Sequence, residues 1–463
     1  MITLKKLNLK NLKQIEKFTS VNPSMLCEMS CGVIFMWDKH YDFYYAVFDD
    51  TLILSSKRQN AYRFFPPVGK NVEGALREIE KFCVQNEQRL IFIGVDESAK
   101  EFLSSKYLVE SVSFDRDFSD YIYSYEEIKN FVGKKFSGQR NHINAFKKLY
   151  PNYEYKAVDK NNVDGILEFL KVYKKAHKKM GKIEKKEYEN TINLIKNLHL
   201  ANFFGGYIEV DGEIVAVTIG ERVGKMLVIH VEKANTSYRG AYPTIFNEFV
   251  KRSEKDGVIY INREDDSGDL GLRTSKQQYQ PIMIANKYFV TVKNPMNVAK
   301  PPVLKGERVL LTAVRKSDEK EYALLYKQVK NNRFWGYDYK KYVENPADEH
   351  FVKMAIDDFK KQKNLCLAIR DKKSKAFMGE VVLYNFDYDD TVEIGFRLFK
   401  KYQKQGYAYE SVRLVLDYVK SVLKLRVVAK CYKKNLNSLK LLEKVGFVRN
   451  GEGGKHYYFE CKN

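Results

Sequence analysis

The chain has little proline, little cysteine and no long apolar run, and each shortage excludes something. Ten prolines in 463 residues leave no room for a Pro-rich tail, and three of them sit in one short stretch considered below. The six cysteines, Cys27, Cys31, Cys83, Cys366, Cys431 and Cys461, include no Cys-x-x-Cys. Cys27 and Cys31 are close, but no second pair of Cys or His completes a zinc site, so no metal is expected. Scattered thiols of this kind suit a reducing cytoplasm. No stretch approaches the roughly 20 apolar residues that span a bilayer, and Met-Ile-Thr-Leu-Lys-Lys-Leu at the start has no apolar segment behind it to make a signal peptide. A soluble, cytoplasmic protein is expected.

Acidic residues are also short in number: 59 against 80 Lys and Arg, a formal charge of +21. That balance favours anionic partners or a solvated basic surface. It is concentrated between Lys129 and Glu189, where sixteen basic residues face seven acidic ones. The hydrophobic share of 44% and charged share of 30% are those of a globular protein. A chain this long needs two or three cores.

Strands alternate with helices along the sequence, which predicts α/β layers. A first cycle runs through strands at Val33–Trp37, Tyr44–Phe48 and Thr51–Leu54, a helix near Val72–Gln85 and a strand at Leu90–Val95. A second has a hairpin about the Asp211-Gly212 turn, a strand at Met226–Val231, a helix Tyr242–Arg252 and a strand at Val258–Ile261. Lys293–Gly306, with Pro295, Pro301 and Pro302, reads as a linker. The expected division is 1–150, 151–295, a linker at 296–306, and 307–463.

The most informative stretch is Glu393–Phe447. A strand, Glu-Ile-Gly-Phe-Arg-Leu-Phe, leads into Gln403-Lys404-Gln405-Gly406-Tyr407-Ala408 and then a helix predicted over Glu410–Val422. A further strand precedes Asn435-Leu-Asn-Ser438, Leu442 and Gly446-Phe447. A glycine loop at a helix N-terminus exposes N–H groups and favours an anion such as a diphosphate. These pieces, in this order, resemble the acyl-coenzyme A site of the GNAT acetyltransferase superfamily, in its ribosomal-protein N-acetyltransferase branch. The resemblance implies binding of acetyl-CoA by Phe396, Arg397, Leu398, Gln403, Lys404, Gln405, Gly406, Tyr407, Ala408 and Asn435.

Acetyl transfer needs a base for the amine and a proton for the leaving thiolate. Strand alternation puts Glu393, Gly395 and Arg397 on one face. Glu393 is the candidate base and Glu380 the reserve, against a plain reading of both as polar residues on a half-exposed face. Many members of the superfamily carry a tyrosine acid at the position of Leu442. Ser438 is the candidate in its place, with a helix cap as the alternative. The acceptor would meet Asn331–Tyr339, where Asp338 could attract an amine and Trp335 could equally pack in the core.

Further upstream, Phe65-Pro-Pro-Val-Gly69-Lys, Gln139–Phe146, His230–Asn235, Asn262–Asp266 and Gly271–Lys276 are similar to the tandem-GNAT family of the phosphatidylglycerol lysyltransferase C-terminal domain. The resemblance covers most of residues 20–290. It implies an α/β (α+β) chain of three GNAT-like units, with mixed sheets flanked by helices. His230, Glu232, Asn262, Arg263, Glu264, Asp265 and Arg273 could orient an amine or an aminoacyl ester, or form a satisfied ion-pair network. Tyr238–Tyr242 lacks the spacing of a diphosphate loop. The expected activity is that of a bacterial acyltransferase, moving acetyl from acetyl-CoA to a primary amine of a small molecule or peptide. The alternative is aminoacyl transfer from aminoacyl-tRNA through the N-terminal pair, with the basic belt holding RNA phosphates.

Overall fold

Among the described residues, every sheet is antiparallel except at one place. The computed structural model describes residues 2–177, 181–253, 257–328, 332–335 and 347–462. Among these residues the strands form three sheets of eight, seven and eight strands, and each sheet holds a single parallel pair. The pairs are Ala61–Phe64 with Ile91–Val95, Met226–Ala234 with Tyr260–Asn262, and Thr391–Leu398 with Arg426–Tyr432. Each pairing is short. It covers only Phe64 with Phe92 in the first sheet, stops at Val228 with Asn262 in the second, and at Glu393 with Val428 in the third. Beyond those points the strands part. The three GNAT-like units expected from the sequence are thus three mixed sheets flanked by helices.

The first two sheets belong to one unit, residues 1–79 and 90–292; the third lies in a second unit, residues 80–89 and 293–463. Within the first unit the sheets do not divide at residue 150. Asp120–Ser124 joins the second sheet between Met283–Ala285 and Tyr260–Asn262. Tyr288–Val292 returns to the first sheet between Ile91–Val95 and Val109–Phe114. The exchange places both sheets on one core, in which Leu52 and Leu54 share a cluster with Val217, Ile219 and Val231.

At the centre of that core the sequence reading needs correction. Val33–Trp37, expected as a strand, lies inside an α-helix, Cys31–Tyr41. A short apolar run fits a buried helix as well as a strand. Here Ser30 caps the helix by accepting from the Val33 N–H. Residues Cys31–Met36 are all buried, so no amphipathic period exists to read. The hairpin does form as expected: Phe204–Val210 pairs with Glu213–Val223, with Asp211 and Gly212 both at positive φ, as a type I′ turn requires.

In the second unit the helix Tyr407–Tyr418 packs Val412, Val415 and Leu416 against Leu311, Leu367 and Ile394 of the sheet. The opposite face carries Glu319–Lys327 and Asp348–Lys360, through Tyr322, Tyr326, Phe351 and Val352. The proline stretch is not a free linker. Met296 and Val298 are buried in the core of this unit, and Val298 exchanges two hydrogen bonds with Gln362 (2.9 and 2.9 Å). Leu304–Lys305 adds an edge strand to the sheet.

Phe35 lies in the core shared by the first two sheets, with its ring 6.2 Å from that of Phe203. Phe35→Ala is expected to destabilise the first unit by about 3–5 kcal/mol, read as a lowered denaturant midpoint.

Candidate active site at the parting strands

In the third sheet, the residues that follow the Glu393–Val428 pair run on as Ile394–Leu398 on one strand and Ala429–Tyr432 on the other. The helix Tyr407–Tyr418 follows the first of these strands through the loop Gln403–Gly406. Lys404 (φ 60°) and Gly406 (φ 88°) are both left-handed. Gln403 donates to the Leu398 carbonyl (3.0 Å) and Gln405 to the Lys401 carbonyl (2.7 Å), folding the loop back on its own strand. Tyr407 and Ala408 open the helix and are half-buried. Phe396 packs against the core beneath, and Leu398 is buried in it.

The corresponding helix starts of the first unit offer a direct comparison of space. A Cβ on Gly69 would lie 2.3 Å from the Asp50 carbonyl oxygen. A Cβ on Gly240, which caps the helix Ala241–Arg252, would lie 2.4 Å from the His142 carbonyl oxygen of Ser137–Leu149. Backbone fills the space beside both glycines, although Gly69 itself is exposed and Gly240 half-buried. At Gly406 the nearest atom is the end of the Arg308 side chain, 2.9 Å away, and no backbone atom is among its nearest neighbours. Of the three glycines, only Gly406 is bordered by a side chain rather than by backbone.

Glu393 stands at the fork, half-buried. Tyr384, directly across the strand pair, donates its hydroxyl to one carboxylate oxygen (2.7 Å), and Asn385 donates to the other (3.0 Å). Burial and the adjacent carboxylate push the Tyr384 phenol well above its ordinary range, so it stays protonated. Gly395 gives the space: a Cβ there would lie 3.1 Å from Trp335 and 3.2 Å from the Tyr384 ring. Tyr384 and Asn385 were not singled out in the sequence. The rule that residues opposite one another on paired strands touch would have found Tyr384.

Glu380 does not suit the reserve role. It is fully buried, accepts from Arg397 Nε (2.6 Å) and takes the Tyr322 hydroxyl (2.5 Å). A carboxylate fully buried under a guanidinium and a phenol is out of a substrate's reach. Arg397 is withdrawn by the same pair. Its guanidinium lies between the rings of Tyr326 (3.8 Å) and Trp335 (4.4 Å) and donates to Asn332 (3.0 Å), so only its main chain is left for a cofactor. Asn435, not Ser438, caps the helix Leu436–Lys444, accepting from the Ser438 N–H (3.4 Å). Ser438 lies in the first turn, and Leu442 is buried in the core. In the expected acceptor loop, Phe334 packs on Tyr432 (5.7 Å between centroids) and Tyr432 on His456 (4.1 Å). Asn331, Gly336, Tyr337, Asp338 and Tyr339 lie outside the described residues.

The parting strands of the second sheet hold a different assembly. His230 is buried between Glu264 (2.8 Å from Nδ1) and Glu221 (2.9 Å from Nε2), and Glu221 also accepts the Gly32 N–H (2.6 Å). Gly32 is obligatory, since a Cβ would lie 2.2 Å from the imidazole. Burial alone would lower the His230 pKa, but the two carboxylates raise it to about 9. Arg263 pairs with Glu232 (2.8 Å) and stacks on Phe246 and Tyr279 (4.2 and 4.6 Å). Arg273 binds Asp266 and Asp117 (2.7 and 2.6 Å). Asn262 donates to Asp120 (2.8 Å), which takes Lys287 Nζ at 2.7 Å, with Asp265 3.3 Å from the same ammonium. The residues singled out in the sequence are therefore together. Glu221, Asp120, Glu28, Lys287 and Gly32 were missed, because no short spacing links them.

Cys27, Glu28 and Asp120 are the one group of metal-ligand type among the described residues. Lys287 Nζ lies 2.6 Å from Glu28 and 3.4 Å from Cys27 as well as on Asp120. An ammonium already sits where a cation would, so the group does not fit a metal. Burial holds Glu28 up at about 8 despite that ammonium.

The third sheet with its flanking helices is an acyltransferase domain of GNAT type, as the comparisons with known proteins show. Residues 308–448 match the acetyltransferase (GNAT) domain. Residues 23–291, more than half of the chain, match the phosphatidylglycerol lysyltransferase C-terminal family. The chain belongs to that family, with the acetyltransferase domain following it. A conserved protein of unknown function from Bacteroides thetaiotaomicron is 31% identical in a structural alignment that covers 63% of this chain and 100% of that one, with a TM-score of 0.58. The Bacillus subtilis uncharacterized N-acetyltransferase YnaD is 33% identical over 16% of this chain and 44% of its own length. The probable N-acetyltransferase YjcK of the same organism is 42% identical over 14% of this chain and 37% of its own. The chain thus spans less than half the length of these two relatives. No helix among the described residues is long and apolar enough to cross a membrane.

The raised pKa of His230 gives a signed expectation. Stability from the charged imidazole is fully present below its ordinary value of 6.5 and is lost as pH rises through about 9. The first unit should melt at progressively lower temperature across that interval. His230→Gln should flatten the slope; an unchanged slope would deny the charged state.

Proposed function

We infer that the C-terminal sheet moves an acetyl group from acetyl-CoA to a primary amine of a small molecule or peptide. The observation that carries this reading is the junction of parted strands with an exposed glycine loop at a helix start, next to a half-buried carboxylate at the fork. Acetyl-CoA would supply the thioester. Backbone N–H groups at Gln403–Ala408 would take its diphosphate, and the edge of Ile394–Leu398 that leaves the parallel pair after Glu393 would meet its pantetheine arm. Asn435 lies at the start of the neighbouring helix.

Glu393 serves as base, held by Tyr384 and Asn385 so that it accepts the proton the amine gives up. Ser438, in the first turn of Leu436–Lys444, would donate toward the leaving sulfur, since Leu442 has no proton to offer. Trp335 over Gly395 and Phe334 over Tyr432 give aromatic walls suited to the stem of an amine.

A second reading concerns the first unit. Arg263 Nη1 and Glu232 Oε2 are buried without a hydrogen-bond partner, and such atoms cost stability unless a ligand meets them. A cation and an anion side by side suit the amine and carbonyl ends of an aminoacyl ester, in keeping with aminoacyl transfer from tRNA. Binding of aminoacyl-tRNA to the whole chain should then fall by orders of magnitude between about 50 and 200 mM salt; flat binding, or none, rejects it.

For the acetyl-transfer reading the test is turnover of acetyl-CoA against a panel of amines, with Glu393→Gln alongside. The variant should lose about a hundredfold in kcat, most at low pH where the amine carries an extra proton, with coenzyme A affinity kept. Full turnover with an unchanged pH profile would remove Glu393 from the reaction.

A further inference from the structure

The cradle at Gln403–Gly406 is held in shape by a pair of residues that lie a hundred positions apart in the chain. Arg308 sits just before the strand Val309–Ala313, and Glu410 lies in the first turn of Tyr407–Tyr418. The guanidinium donates through Nη1 to the Gln405 carbonyl (3.0 Å) and through Nε to Glu410 (3.2 Å). Its plane lies over the Tyr407 ring at 4.8 Å. The other Glu410 oxygen accepts the backbone N–H groups of Arg308 (2.8 Å) and Val309 (3.2 Å). Burial opposes ionisation of Glu410, yet these donors hold its carboxyl below the ordinary range, so the pair is charged at neutral pH.

Two features make this more than a surface ion pair. First, Arg308 binds the loop where the loop is strained: Gln405 lies between left-handed Lys404 and Gly406. Lysine rarely adopts that backbone region, so holding it there costs free energy. A donor on the intervening carbonyl holds the loop in that conformation. Second, Nη2 is the nearest group to Gly406, 2.9 Å from where a Cβ would stand. Arg308 therefore brings positive charge to the place where an anion would meet the helix start.

We propose that Arg308, oriented by Glu410, is the positioning residue for the diphosphate of the acyl donor. It sets the loop in its anion-binding form and biases the cradle toward nucleotide-bearing thioesters over bare pantetheine ones. The proposal rests on the acetyl-CoA reading above.

The test is calorimetric titration of coenzyme A, and separately of pantetheine, into the full chain and into Arg308→Ala, Arg308→Lys and Glu410→Gln. Arg308→Ala should weaken coenzyme A about tenfold, the size of one lost charged hydrogen bond, and leave pantetheine unchanged. Arg308→Lys keeps the charge but not the planar fork, and should recover only part. Glu410→Gln keeps the oxygen that caps Arg308 and Val309 but frees the guanidinium, and should weaken coenzyme A alone. Equal coenzyme A affinity in all four proteins overturns the proposal. So does a parallel loss of both ligands with a lowered melting temperature, which would make the pair a fold support only. A wild-type chain that binds pantetheine but gains nothing from the nucleotide also overturns it. One that binds neither ligand overturns the acetyl-CoA reading and this proposal with it.

Discussion

A parallel strand pair that parts leaves a row of peptide groups with no neighbour, and buried peptide groups must be satisfied. That constraint recurs in all three sheets of this chain, and the rest of the structure is an answer to it. In the second sheet the chain fills the gap itself, with Gly32 against His230, Glu221 beneath the imidazole, and Arg263 stacked between aromatic rings. In the third sheet the gap is bordered by rings and one carboxylate, and the helix start beside it carries an exposed glycine loop. The same architecture therefore presents a packed ionic centre in one unit and a fork bordered by aromatic rings and one carboxylate in the other.

The ionic centre is costly to build. Isolated buried charges are expensive, and pairing recovers that cost only when the remaining donors and acceptors are met. His230 meets two carboxylates and Lys287 three, with Asn262 and the Cys27 N–H completing Asp120. The two exceptions, on Arg263 and Glu232, lie next to each other. A network otherwise so complete draws attention to its one unfinished place.

Much of this was legible in the sequence wherever the pattern is local. The hairpin at Asp211-Gly212, the helix after Gly406 and the strand bearing Glu393 follow from turn chemistry and periodicity, and stand where expected. What escaped was non-local. Cys31–Tyr41 is a helix because it is buried on all sides, which removes the period that would identify it. Glu380 looked available until Tyr322 and Arg397, distant in sequence, closed on it. Pro295–Gly306 lacks any period but is tethered by Gln362. The division at 150 failed for a related reason, since no local signal marks a strand that leaves one sheet for another.

That last feature bears on how the chain is made. Tyr288–Val292 lies inside the first sheet, between Ile91–Val95 and Val109–Phe114. During synthesis those two strands emerge long before the one that separates them. Until residue 292 clears the ribosome, their facing edges stay unpaired and could pair wrongly with each other or with a neighbouring nascent chain. The first sheet is completed only by a strand made after the second sheet, so the two halves form one folding problem.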